Sequence, residues 1–333
     1  MASHQLARTS SVLLRAACSA AVLLMTQVAA AQAQGFPSRP VMVISPLAPG
    51  GPVDTEGRVY TTKLQELTGQ PFIMDYKVGA GGTVGIGHVA KAAPDGYTIL
   101  IGSTSLTMIP ALNRNPGFDA VKDFAPISLM TKKPSALLVH PSLPIKSLRE
   151  MVAYAKAHPG ELNFGTTGAG GTTHLAGSFM ASLSGAPLTF VHYKGTGPMT
   201  VDLLAGRVHL AMTTLISSMS HVKSGKLRVI GVSTLARQSR LPDVPTLSES
   251  GAPGYEYVGW TGFLAPARTP AAAVDRLSAA MARVAKSQDV VSKLGDGDIE
   301  FFGSTPDYLR KHIADELSRW SKVVDEAGIK PEK

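Results

Sequence analysis

From Phe36 onward, apolar and polar positions change period in a regular order. Val41 to Ser45 is a short apolar run that reads as a strand, and Val53 to Thr68 carries helical spacing. Pro71 to Tyr76 predicts a second strand. Thr83 to Ala93 predicts a helix stopped by Pro94-Asp95-Gly96, and Thr98 to Gly102 a third strand followed by Ser103-Thr104-Ser105. This βαβαβ order predicts a parallel sheet with helices on its faces, in which Leu100 and Ile101 suit a central buried strand. A second run starts after Lys132-Lys133-Pro134. It predicts a strand at Ala136 to Val139 and a helix at Ser147 to His158, where Ser147 and Glu150 form a capping-box pattern. Strand Leu162 to Thr166, helix Thr172 to Ser184, strand Thr189 to Tyr193, helix Pro198 to Ala205 and strands Val208 to Met212 and Val229 to Ser233 follow. A Pro- and Gly-rich stretch, Leu241 to Gly254, leads back through Tyr255 to Leu264, and two helices, Ala271 to Ser287 and Thr305 to Glu326, end the pattern.

Two α/β units therefore face each other across a cleft. The chain enters the second near Thr131 and leaves it near Val258, so two crossing strands form a hinge. The expected division is 36–133 with 259–333 as a first, discontinuous domain and 134–258 as a second.

Glycine marks the junctions that matter. Gly-Ala-Gly-Gly-Thr occurs at Gly79 to Thr83 and again at Gly168 to Thr172, each time between a predicted strand and a predicted helix. A third glycine turn, Ala48 to Asp54, joins the first strand to its helix. Glycine permits positive φ and close backbone approach. A helix start offers free N–H groups and a partial positive charge. Three such junctions predict a site for a small acidic solute.

The 333 residues suffice for two domains, and 44% hydrophobic against 17% charged content describes a globular chain with a substantial core. Arg8 and Arg15, the apolar run Ala16 to Met25 and the small-x-small sequence Ala31-Gln32-Ala33 read as a cleaved export signal over residues 1–33, which places the mature chain in the periplasm. No other run is long and apolar enough to span a bilayer. Cys18, the single cysteine, leaves with the signal, so disulfides, thiol nucleophiles and thiolate metal sites are not expected. The formal net charge of +8 is scattered rather than clustered, which argues against a nucleic-acid surface and mildly favours anionic solutes.

Other chemistries fit poorly. A dinucleotide fingerprint needs glycine where Val84 and Thr173 stand, and the Walker-like Gly165 to Gly170 is followed by Gly171 instead of lysine. There is no Gly-x-Ser-x-Gly elbow, and His174, His192, His209 and His221 have no metal-ligand spacing. Hydroxyls instead crowd the strand ends: Thr83, Ser103, Thr104, Ser105, Thr166, Thr167, Thr172 and Thr173. With backbone N–H groups they can hold a carboxylate without a fixed charge. Asp54, in a first helical turn, has two readings, a helix-end role or acceptance of a ligand donor. Trp260 and Trp320 read as packing residues, with Trp260 the better placed to touch the cleft.

An ordered set of short motifs resembles one family over nearly all of the chain. It includes Arg39-Pro40, Ala48-Pro-Gly-Gly51 with Asp54, Gly79-Ala-Gly-Gly82, Ala93-Pro-Asp-Gly-Tyr97, Lys122-Asp-Phe-Ala-Pro126 and His174-Leu-Ala-Gly177. Tyr193-Lys-Gly195, Gly225-Lys-Leu-Arg228, Leu241 to Thr246 and Gly303 to Pro306 continue it. Together they look like the periplasmic receptors of tripartite tricarboxylate transporters. The resemblance implies a type II periplasmic-binding-protein fold, two α/β domains joined by a two-strand hinge around a ligand cleft. It further implies a small organic acid as ligand, a membrane permease of a large and a small subunit as partner, no cofactor or metal, and a monomer.

Carried over residue by residue, the resemblance implies a first-domain site of Gly50, Gly51, Gly81, Gly82 and Thr83, with Ser103, Thr104 and Ser105 beside it. The second domain would add Thr166, Thr167, Gly170, Thr172 and the Tyr193-Lys194-Gly195-Thr196 turn. Two departures stand out. Pro52-Val53 replace a glycine and a hydroxyl before Asp54, and Thr213-Thr214 replace the family's common Asp-Asn, leaving Thr214 at the ligand. Fewer donors and no acid there favour a monocarboxylate or aromatic acid over citrate. A ligand sensor uncoupled from transport, and a hydrolase using the same cleft, are the alternatives.

Overall fold

The computed structural model describes residues 35–113, 115–295 and 299–326; the export signal expected over 1–33 lies outside them. Residues from Pro40 onward form one unit built on a continuous mixed sheet. In its first half, β1 (Val41–Ser45), β2 (Phe72–Tyr76) and β3 (Thr98–Ser103) are parallel in the order β2-β1-β3. The connecting helices are α1 (Pro52–Thr68) and α2 (Thr83–Ala90), while α3 (Ser105–Leu112) follows β3. Helix α1 starts with Pro52 in its first turn, where no N–H is missed, and stops at Gly69 with φ 72°, whose N–H returns to the Gln65 carbonyl. It buries Val53, Tyr60 and Leu64.

The middle of the sheet is a pair of long antiparallel strands. β4 (Phe124–Val139) runs 16 residues, pairing over Phe124–Pro134 with β9 (Val258–Pro266). β9 in turn lies antiparallel to β3, and the two-residue β10 (Glu300–Phe301) joins β4 at Thr131 and Lys132. Beyond Pro134 the same β4 changes partners and pairs with β7 (Leu210–Thr214) and β8 (Arg228–Val232). β5 (Asn163–Thr166) then lies parallel between β7 and β6 (Thr189–His192). Helices α4 (Leu148–Ala157), α5 (Thr172–Ser184), α6 (Thr196–Leu204) and α7 (Leu215–Lys223) belong to this half, and α8 (Ala271–Ala285), α9 (Gln288–Leu294) and α10 (Pro306–Glu326) follow β9.

The strand expected at Ala136–Val139 is thus the end of a much longer one. Lys132, Lys133 and Pro134, after which the second unit was expected to begin, continue the ladder, and Lys133 meets a buried acid, Glu56. Helix α3 was not legible, since Pro110 interrupts its apolar run, and neither were the short α7 and α9. The helix predicted to Ala93 ends at Ala90. The Ser147–Glu150 pattern does start α4: the Ser147 hydroxyl accepts from the Glu150 N–H at 3.2 Å, while the Glu150 carboxylate reaches the Lys146 N–H at 2.7 Å.

Each half has its own core, and α10 packs on both. Leu309 and Ile313 join Ile44, Leu100, Trp260 and Leu264. Two turns later, Trp320 and Val323 join Phe164, Phe179, Met212 and Tyr255. Each such side chain, fully buried, contributes about 1.5–3 kcal/mol.

Candidate functional site

Where the two halves meet, five helices begin at the wall of one cleft. Gly51-Pro52-Val53 opens α1, Thr104 precedes α3, Thr172 and Thr173 open α5, Gly195-Thr196 opens α6 and Thr214 precedes α7. At none of these five ends does the N-cap side chain accept a hydrogen bond from the helix. Their first-turn N–H groups, with no side-chain partner from the cap, lie at the cleft wall. The end of α4, closed by Ser147, is not on the wall. The cleft is a small pocket whose mouth opens to solvent. Among the described residues no acid and no histidine lines it, and Lys133 is the one charged side chain on its wall. Leu47, Pro52, Val53 and Met212 supply an apolar stretch, with Tyr257 and Trp260 beside them.

Of the residues singled out from sequence, Gly51, Ser103, Thr104, Thr167, Thr172, Gly195, Thr196 and Thr214 are brought together on this wall. Their neighbours hold them there. The Ser103 and Ser105 hydroxyls lie 2.9 Å apart, and the Thr104 hydroxyl accepts from the Trp260 N–H at 3.1 Å. Thr173 accepts from the Thr167 N–H at 2.8 Å.

The others stand behind or beside the wall. Asp54 is turned away: its carboxylate accepts from the Gly50 N–H at 2.9 Å, from Arg58 at 2.9 Å and from the Tyr76 hydroxyl. Burial raises its pKa, but these donors together outweigh that and hold it below the usual carboxylate range. Asp54 thus takes the helix-end role, pinning the Gly50 turn. Thr166 lies 2.7 Å from His192 Nδ1, and the Gly170 N–H donates to His174 Nδ1 at 3.2 Å, with the two imidazoles packed edge to face. These histidines brace the second glycine turn from behind. The Tyr193 hydroxyl donates to Asp202 at 2.9 Å, and Lys194 is exposed.

Gly81, Gly82 and Thr83 of the first pentapeptide are not on this wall; Gly81 instead approaches the second pentapeptide. A Cβ on Gly81, which has φ 65°, would stand 3.3 Å from the Gly171 Cα, and one on Gly195 would stand 3.3 Å from the Ala48 Cβ. Glycine at these points lets the two halves approach closely, at Gly81 backbone to backbone.

Sequence reading missed Lys133, Tyr257 and Gly259, which reach the wall from the crossing strands. The Tyr257 hydroxyl lies within hydrogen-bonding reach of Thr172 and Thr104. Burial pushes its pKa up to about 12 against their pull, so it remains a neutral phenol. Lys133 gives its ammonium protons to Glu56 and Thr261, and to Thr131 at 3.3 Å. No local motif announces these residues, because their partners lie far away in sequence. Trp260 lines the cleft although its ring is almost wholly buried, and Trp320 sits in the second core. Among the described residues no cluster of His, Cys, Asp or Glu is placed to hold a metal, and no helix is long and apolar enough to cross a membrane.

Known proteins share this architecture. Residues 57–329 match the tripartite tricarboxylate transporter family receptor, TctC. Protein BugT of Bordetella pertussis is 34% identical over 300 residues, covering 90% of this chain and 92% of the relative. Among solved structures, the periplasmic binding protein BugD superposes with a TM-score of 0.85 at 30% identity, and R. palustris Rpa4515 with adipate with 0.84 at 35%. Each of the two matches covers 89% of this chain and all of the other. MatC from Rhodopseudomonas palustris, with bound malate, gives 0.83 at 33%, covering 87% of this chain and all of the other. A family match over most of the length, a shared fold and relatives of this identity place the chain in the tripartite tricarboxylate transporter receptor family.

Proposed function

We propose that this chain is a periplasmic receptor that captures a small organic carboxylate in the cleft and hands it to a membrane transporter of the tripartite tricarboxylate type. The carrying observation is the convergence of five uncapped helix starts on a wall free of acidic side chains. An anion there meets N–H donors and dipoles already aimed at it, without the reorganisation that water would require. The apolar stretch of Leu47, Pro52, Val53 and Met212 suits a hydrocarbon body between or behind the charged groups. In this reading 36–133 with 259–333 and 134–258 are the domains that close on the ligand, with β4 and the Tyr257–Val258 step as the crossings.

The wall also favours a receptor over a hydrolase. Its serine and threonine hydroxyls have no histidine or carboxylate beside them on the wall to take a proton. Adipate and malate, bound by relatives of known structure, are the natural first probes, with hexanoate, benzoate and citrate beside them. Calorimetry should show one equivalent of carboxylate bound, and mass spectrometry should recover it unchanged. Turnover of the ligand, or no binding by any of the five acids, overturns the receptor reading. Citrate as the tightest ligand overturns only the preference for smaller or more apolar acids.

A further inference from the structure

The fold spends a buried ion pair beside its ligand cleft. Lys133 on β4 is 3% exposed and Glu56 on α1 is 1% exposed, and the two are in direct contact. Pairs of this kind cost several kcal/mol in desolvation, and apolar residues of the same volume often replace them without loss of stability. Packing alone therefore gives no reason for a charge here.

The geometry shows where the charge bears. Lys133 lies opposite Gly259 in the β4–β9 ladder, and both line the cleft. With no side chain at Gly259, the lysine stem faces the cavity; a Cβ there would stand 4.0 Å from Lys133 Cε. Glu56 does not depend on Lys133 for all its partners. One carboxylate oxygen accepts from the Thr131 hydroxyl at 2.5 Å and the Tyr60 hydroxyl at 3.2 Å, and the other also lies 3.4 Å from the Thr261 hydroxyl. Of the three bonds made by the ammonium, the one to Thr131 is long, at 3.3 Å. Among the described residues, every other donor on the wall is a neutral hydroxyl, indole, phenol or backbone group.

We propose that Lys133 is a ligand-contacting residue, which turns its weakly held N–H from Thr131 to a carboxylate on the cleft floor while Glu56 competes with the ligand for its charge. The proposal rests on the carboxylate-receptor reading above. Glu56 then acts as a built-in attenuator. It keeps the empty cleft neutral, so an anion is held by a full charge yet released reversibly.

The test is calorimetric titration of adipate and of hexanoate into the full-length mature protein and two variants. Glu56→Gln removes the competitor and should tighten binding about threefold or more. Glu56→Gln combined with Lys133→Met removes both charges, strands neither, and should weaken binding about tenfold relative to the parent. Opposite signs for the two variants are not produced by a role confined to packing. Folded variants that both bind within twofold of the parent overturn the proposal and leave the receptor reading standing. Should Glu56→Gln fail to fold, the double variant decides alone, by weakening or by parent-like affinity. A parent protein that binds neither these acids nor malate, benzoate or citrate removes the receptor reading and this proposal together.

Discussion

At Gly79–Thr83 the pentapeptide Gly-Ala-Gly-Gly-Thr makes a tight 3-10 turn over Ala80–Gly82, with Ala80 at φ 45° and Gly81 at 65°, before α2 begins. At Gly168–Thr172 the same residues run from Gly168 at 151° to Gly171 at −84° and open directly into α5. The second copy puts Thr172 and then Thr173 on the cleft wall. The first copy reaches no part of that wall; its Gly81 abuts Gly171 of the second. Identical residues are thus used for opposite properties. In one copy the missing side chain permits contact between the halves, and in the other the helix start and hydroxyl face the cleft. The flanks separate them: Val84 follows the first and is 52% exposed, whereas Thr173 follows the second and ties back to Thr167.

The largest effect should come from filling the contact. Gly81→Val places a branched side chain at φ 65° against the Gly171 backbone. Strain and overpacking together should lower adipate affinity at least about tenfold, with far-UV circular dichroism unchanged. Affinity equal to the parent would mean that the two copies need not touch when ligand is held.

A smaller effect should distinguish the two threonines. Thr172→Val removes a wall hydroxyl and should cost about 0.5–1.5 kcal/mol of binding, read by calorimetry, while Thr83→Val should leave affinity within about twofold. Equal losses at both positions would return the first copy to the binding surface.

The smallest effect on binding should come from Asp54→Asn, with the change read in stability instead. The carboxylate loses charge-assisted bonds to Gly50, Arg58 and Tyr76, at a cost of about 1–2 kcal/mol in denaturant unfolding at pH 7. Because the folded-state pKa is depressed, this contribution is present above about pH 4 and is lost as pH falls through the folded value. Parent and variant should therefore converge in stability in acid. A gap that persists at pH 2 would show that Asp54 acts by packing rather than by charge.

Much of the scaffold was legible because it depends on local signals. The βαβαβ order from Val41, the stop at Gly69 and the Ser147 cap follow from periodicity, glycine at positive φ and a short polar side chain. Two of the five helix starts at the cleft were also legible, since glycine turns mark α1 and α5, whereas α6 was expected from Pro198 and begins at Thr196. The starts of α3 and α7 were not: both helices are short and follow strands with no glycine turn between, and α3 contains Pro110.

The sequence alone sufficed for the family, for the α/β architecture and for a cleft rich in glycine and hydroxyl groups, because those follow from residues close together in the chain. Which copy of the pentapeptide faces the cleft depended on how β4 and β9 bring two halves together, as did the placing of Lys133, Tyr257 and Gly259 on the wall. Lys133 and Glu56 are 77 positions apart, and Thr104 and Trp260 are 156. No spacing rule spans such separations. Burial forces each buried charge or polar group to find a partner, and only the folded sheet determines which partner is within reach.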